Sequence, residues 1–240
     1  MVTCTSPEQL AALLQGWAGN VTLVLIEPGI NSNDWPMGNF RAYQTPARLA
    51  VLNAWRAAAQ TAVATGALCS VDHLVVWATG PVMASWLDAL PSSVHLAALQ
   101  VHEWQSSNCS TVVAACPKAL SALTLYSPRL TGLLESMGQL AALTALNLID
   151  CVSLTGLPES MGQLAALTTL KLARCSSLTA LPESTGQMSA LTTLKLARCS
   201  SLTALPESTG QMSALTTLHL NGCRSLTGLP ESMGQLTALT

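Results

Sequence analysis

Self-similarity at a fixed period constrains this chain more than any other feature it carries. The segment LKLARCSSLTALPESTGQMSALTT at 170–193 recurs without change at 194–217, each copy beginning where the last one ends. Looser copies flank the pair, one starting at Leu146 and one at Leu218. The shared pattern is L-x-x-L-x-L-x-x-C-x-x-L-T-x-L-P-E-S-x-G-Q-[LM]-x-A. A unit this short cannot bury its own apolar face. Stacked on copies of itself it forms one continuous core, so the chain is expected to be a solenoid.

Each leucine of the unit has its own task. Leu167, Leu170 and Leu172 are spaced by three and two, as in a short strand entered through a bend. The period-2 pair points inward and leaves Thr169, Lys171 and Ala173 on the other face. Leu178 and Leu181 carry the core around the coil, and Pro182 prevents a continuing strand. Glu183 to Ala190 is expected to form a short helical or 3-10 turn, with Gly186 easing a tight backbone. Aromatic residues make up only 4% of the chain and Phe40 is the single phenylalanine, so leucine must fill the core.

The pattern fades toward the N-terminus. Leu120, Leu123, Leu125 and Pro128 fit it one residue short after the strand, and Leu96, Leu99, Val101 and Trp104 fit one full period before them. Val71, Leu74 and Val76 read as an earlier strand, and Val21 to Ile26 as another. Ser6-Pro7-Glu8-Gln9 has the pattern of a capped helix start, followed by Leu10, Leu13, Leu14 and Trp17 on one face. Pro46 to Thr65 reads as a second, longer helix. Residues 1–92 are therefore expected to be an irregular α/β cap continuous with the solenoid, its core filled by most of the tryptophans. Residues 93–240 form the repeats, with seven to eight right-handed coils in all. The pattern reaches Thr240 inside a strand motif, so a C-terminal cap is expected to be missing.

The run LTTLKLARCSSLTALPESTGQMSAL resembles the plant-type leucine-rich repeats of intracellular disease-resistance receptors. It is also similar to the Ras-associated intracellular leucine-rich-repeat proteins, which share the L-P-x-x-[IL]-G-x-L stretch. The match covers about residues 120–240 and extends more weakly to about 94. The resemblance implies a curved α/β solenoid with a parallel sheet on its concave side and ligand recognition there. Thr185 and Thr209 depart from it, standing where an aliphatic residue usually precedes the glycine. No G-x-x-x-x-G-K-[ST] phosphate loop and no Toll/interleukin-receptor-type domain accompanies the repeats, so the nucleotide switch of resistance receptors is missing.

Composition narrows the function. A net charge of −2 lacks the basic excess of a nucleic-acid binder. No apolar run reaches the roughly 18 residues that cross a bilayer. The N-terminus lacks a positive n-region and a long h-region, so a cytoplasmic protein is expected. In that compartment the eight cysteines are free thiols, and the sequons at Asn20 and Asn108 are chance matches. His73, His95, His102 and His219 form no metal-ligand pair, and no G-x-S-x-G elbow occurs. His102-Glu103 reads as a surface pair. No enzyme, metal site or cofactor is expected.

Three columns remain as candidate sites. Cys151, Cys175, Cys199 and Cys223 recur once per repeat; a straight ladder cannot converge on a metal, so buried thiols bonded to neighbouring loops are expected. Glu135, Glu159, Glu183, Glu207 and Glu231 read as carboxylates at the starts of short helical turns. On the outward strand face, Lys171, Lys195 and His219 form one column, and Arg174 and Arg198 form a second beside Asn221-Gly222. Four permanent cations on adjacent rungs suit a protein partner with an acidic surface. Duplication of the repeat would also generate these columns without any function. A protein-binding scaffold and a sensor segment of a larger signalling protein are the two functions that follow.

Overall fold

A computed structural model of the chain describes residues 2–4, 21–26, 70–77, 95–102 and 116–239. Nine strands lie in it: β1 (Val2–Cys4), β2 (Val21–Ile26), β3 (Ser70–Trp77), β4 (His95–His102), β5 (Ala122–Tyr126), β6 (Ala145–Ile149), β7 (Thr169–Ala173), β8 (Thr193–Ala197) and β9 (Thr217–His219). They form one parallel sheet in sequence order, each strand hydrogen-bonded to the next. The expected strands at 21–26 and around 71–76 are present. Val2–Cys4 is an additional one, so nine strands replace the seven to eight coils read from the pattern. Three residues hold too few side chains to show a period, and β1 is defined by its pairing with Leu23–Leu25. The helices expected after Ser6 and over 46–65, and every tryptophan but Trp77, lie outside the described residues.

After each strand from β5 onward the chain turns back through a five-residue 3-10 segment. These are η1 (Glu135–Gln139), η2 (Glu159–Gln163), η3 (Glu183–Gln187), η4 (Glu207–Gln211) and η5 (Glu231–Gln235). From η2 to η5 each is entered from an extended proline, as Pro182 at φ −69° and ψ 151° enters η3. The core lies between the strands and these turns. Leu170, Leu172, Leu178, Met188 and Leu191 are fully buried, as are their equivalents in the next coil. In β7 burial alternates along the strand, with Leu170 and Leu172 inside and Lys171 exposed, as the period-2 reading requires.

Stacking is tightest at the glycines of the 3-10 turns. A Cβ on Gly138 would lie 2.6 Å from the carbonyl oxygen of Ser160 in the next coil, and one on Gly162 equally close to that of Ser184. Gly186 and Gly210 meet Ser208 and Ser232 in the same way, whereas a Cβ on Gly234 would meet nothing. Gly186 is therefore needed for the approach of the following coil, and not to ease its own backbone.

The coil between β5 and β6 is short by one residue: Ala122 pairs with Ala145, while Ala145 pairs with Thr169. The missing residue can be located. In the longer coils a residue with positive φ follows the strand: Asp150 (55°), Arg174 (58°), Arg198 (58°) and Gly222 (82°). Leu154 donates its N–H to Cys151 at 3.1 Å, and in the short coil Leu130 donates to Ser127 at 3.2 Å. Ser127 thus takes the cysteine's place and the left-handed residue is absent. Thr185 and Thr209 take the place of Met137 and Met161 under the stack. Both are fully buried; the Thr185 hydroxyl donates to Pro182 O at 2.6 Å, and that of Thr209 has no partner among the described residues.

Candidate functional site

The exposed strand face is built by register. Its central column runs through Gln100, Thr124, Asn147, Lys171, Lys195 and His219, each paired with the next across the parallel ladder. Lys171 and His219 are exposed and Lys195 half-buried. Toward its N-terminal end the column is neutral and internally bonded. Asn147 Nδ2 donates to Thr124 Oγ1 at 3.0 Å, and Gln100 Nε2 donates to His102 Nε2 at 2.7 Å. Strand spacing of about 4.8 Å puts the three basic side chains on adjacent rungs.

A second column stands at the left-handed residues just past the strands: Asp150, Arg174, Arg198 and Gly222. Their backbone N–H groups close the turn onto the next coil; Asp150 donates to Ala173 O at 2.9 Å, Arg174 to Ala197 O at 2.8 Å and Arg198 to Asn221 O at 2.7 Å. The αL conformation costs an L-residue other than Gly, Asn or Asp roughly 1–2 kcal/mol, so two arginines here are held against their preference. Arg174 is also paired: its Nη1 lies 3.2 Å from Asp150 Oδ1 and 3.4 Å from Oδ2. Arg198 makes no ion pair among the described residues. Asn221 is exposed and lies in the turn after β9, at the repeat position of Ala173 and Ala197. Gly222, not Asn221, continues the arginine column.

The threonines flanking these cations are committed to the scaffold. Thr168 Oγ1 donates to Thr144 O at 3.0 Å, Thr192 to Thr168 O at 3.0 Å and Thr216 to Thr192 O at 3.1 Å. Cys151, Cys175, Cys199 and Cys223 are free thiols. Cys151, Cys175 and Cys199 are fully buried. Cys175 donates to Leu148 O at 3.7 Å and Cys199 to Leu172 O at 3.4 Å. Hydrogen bonding to Cys151, then to Cys199, together with burial, pushes the Cys175 thiol well above its ordinary range. Among the described residues no three His, Cys, Asp or Glu side chains cluster so as to hold a metal ion.

The glutamates act across coils. Glu135 Oε2 accepts the N–H of Ser160 at 3.0 Å, Glu159 that of Ser184 at 3.2 Å and Glu183 that of Ser208 at 3.3 Å. Each carboxylate satisfies a donor at the start of the next coil's turn, which a 3-10 segment cannot pair internally. The sequence shows the carboxylate at the turn start, but its partner lies one coil away.

His102 departs from its sequence reading. It is 4% exposed and stacks on Tyr126 with ring centroids 4.3 Å apart and planes within 4°. It is therefore not a surface residue. Although its register faces outward, the aromatic ring on the next strand covers it, and burial lowers its pKa to about 4. The imidazole is neutral at neutral pH. Glu103 lies outside the described residues.

The sequence matches no protein-family profile and no curated protein. Among solved structures, the chain is similar to the leucine-rich-repeat domain of the type III effector XCV3220 (XopL), with a TM-score of 0.53 and 22% identity over 75% of this chain and 61% of that one. It is similar, at a TM-score of 0.49 and 22% identity, to the Arabidopsis receptor kinase HAESA, crystallised with the peptide hormone IDA and the co-receptor SERK1; the match covers 72% of this chain and 29% of that one. A third likeness is to the yeast Rad7–Elc1 complex, at a TM-score of 0.45 and 15% identity over 100% of this chain and 67% of that one. The chain thus spans about three fifths of the effector domain. With the repeat, the nine-stranded parallel sheet and the 3-10 turns, the fold is a leucine-rich-repeat solenoid. Among the described residues no helix is long and apolar enough to cross a membrane.

Proposed function

We propose that this chain is a non-enzymatic scaffold that binds a protein partner through an exposed, concave face formed by β7–β9. One observation carries the proposal. Lys171, Lys195 and His219 stand in continuous register beside Arg174 and Arg198, on a face where, among the described residues, Asp150 is the one carboxylate beside them. The acidic residues of the 3-10 turns lie across the leucine core, where Glu135, Glu159 and Glu183 bond to the stack itself. The field on the strand side is therefore positive although the whole chain is near neutral. Asn221 flanks the face from the turn after β9.

The test is affinity capture from a cell lysate with the chain as bait, beside a variant carrying Lys171→Glu, Arg174→Glu, Lys195→Glu and Arg198→Glu. A partner held by the first and lost by the second, at unchanged circular dichroism, supports the face as the site. Equal capture by both rejects it.

A further inference from the structure

The four permanent cations of the strand face are not equivalent. Arg174 shares its Nη1 between both oxygens of Asp150. Arg198, in the identical coil that follows, has Arg174 on one side and Gly222 on the other. A Cβ on Gly222 would lie 3.2 Å from Arg198 Cγ, so any larger residue there would press on the arginine side chain. One flank of Arg198 is thus left open by a glycine, while the equivalent arginine one coil earlier is neutralised by an aspartate.

Backbone geometry adds an independent indication. Gly222 shows that glycine fits this left-handed position, and the coil between β5 and β6 dispenses with the residue altogether. Arginine is therefore not what the fold requires there. A residue kept in an unfavourable backbone region, where the scaffold accepts glycine or nothing, suggests a use for its side chain.

Resting on the proposed strand-face site, we propose that the partner presents an extended, acidic peptide segment whose carboxylates are taken by Arg198, Lys195 and Lys171, and that Asp150 withholds Arg174 from it. The three cations are spread over two rungs, Lys171 and Lys195 on neighbouring strands and Arg198 just past the second, and do not converge on a point. A phosphate is gripped by several donors converging on one group; a row of single cations matches a row of single carboxylates. The β7 and β8 rungs lie about 5 Å apart, a step that about one to two residues of extended chain cover. A segment with acidic side chains at every or every second position reaches both rungs.

Hexaglutamate carrying a fluorophore, titrated with the intact chain and followed by anisotropy at low and at physiological ionic strength, tests this. Arg198→Ala and Lys195→Ala are each expected to weaken binding by about fivefold to tenfold, and Arg174→Ala by less than about twofold. Asp150→Asn is expected to strengthen binding by about threefold to fivefold, and in that background Arg174→Ala becomes as costly as Arg198→Ala. Arg198→Gly provides a variant whose backbone is relaxed, so loss of binding there cannot be assigned to misfolding. Equal losses from Arg174→Ala and Arg198→Ala, with no effect of Asp150→Asn, would overturn the asymmetry and leave the strand face standing as a site. Failure of hexaglutamate to bind at either ionic strength would overturn the acidic segment; whether the face itself survives is then decided by the charge-reversal capture. Tighter binding of an oligothymidylate of equal charge, lost in the same variants, would replace the peptide with a nucleic acid.

Discussion

On the 3-10 side of the solenoid Glu-Ser-x-Gly-Gln stands five times over, at 135–139, 159–163, 183–187, 207–211 and 231–235. On the strand side the central outward position is Thr124, Asn147, Lys171, Lys195 and His219. The period is shared, but the freedom is not. In the turns, side chains meet the backbone of the next coil: glycine lies against a serine carbonyl, and glutamate accepts a serine N–H. On the strands, hydrogen bonding is done by the backbone ladder, and the outward side chains meet solvent or one another. Variation within a single chain therefore separates positions that hold coils together from positions free to carry a surface.

That contrast can be broken by substitution. Gly162→Ala has the largest expected effect: its Cβ would sit 2.6 Å from a backbone oxygen that cannot swing away, and urea denaturation is expected to show a loss of about 3 kcal/mol. Gly156→Ala is its control, since a Cβ there meets nothing within 4 Å and Ala180 and Ala204 already fill the equivalent position. A cost from Gly156→Ala equal to that of Gly162→Ala would show that the glycines serve the unfolded chain and not the stack.

Arg198→Gly runs in the opposite direction. Relief of the left-handed backbone is expected to raise stability by about 1 kcal/mol, partly offset by the entropy glycine adds to the unfolded state, while hexaglutamate affinity falls. A midpoint that drops instead would place the arginine in the scaffold. Glu159→Gln weakens one charge-assisted bond to Ser184 at a half-exposed site, at a cost of about 0.5–1 kcal/mol. Lys195→Thr is expected to change stability by less than about 0.5 kcal/mol. A larger loss for Lys195→Thr than for Glu159→Gln in the same melts would erase the distinction between the two sides.

Sequence is most legible where a residue acts within its own coil. The leucines at 167, 170, 172, 178 and 181, the proline that ends the extended run and the 3-10 turn beyond it follow from spacing alone, and each lies where that spacing puts it. Features that depend on the next coil are harder to see. The reason for Gly186, the partner of Glu159 and the pairing of Arg174 with Asp150 all involve atoms one coil away, and a local pattern does not say which atoms face each other. His102 is misread for the same reason, because Tyr126 on the adjacent strand covers it. The left-handed column does leave a trace: the one-residue difference between the coil after Leu125 and its neighbours marks the residue that the turn gains. Of the candidate site, the lysine, arginine and histidine positions are legible. The neutralisation of one arginine and the place of Asn221 outside the column are not.

The interchangeability of coils 170–193 and 194–217 has a consequence for how such a molecule can change over generations. Each copy brings its own glycine seat, glutamate latch and threonine ladder, so a replication slip that adds one inserts a segment whose two junctions are already right. The same slip adds one lysine and one arginine to the outward surface. Recognition strength would then be inherited in whole steps, set by how many copies a gene carries rather than by the gradual refinement of any one contact.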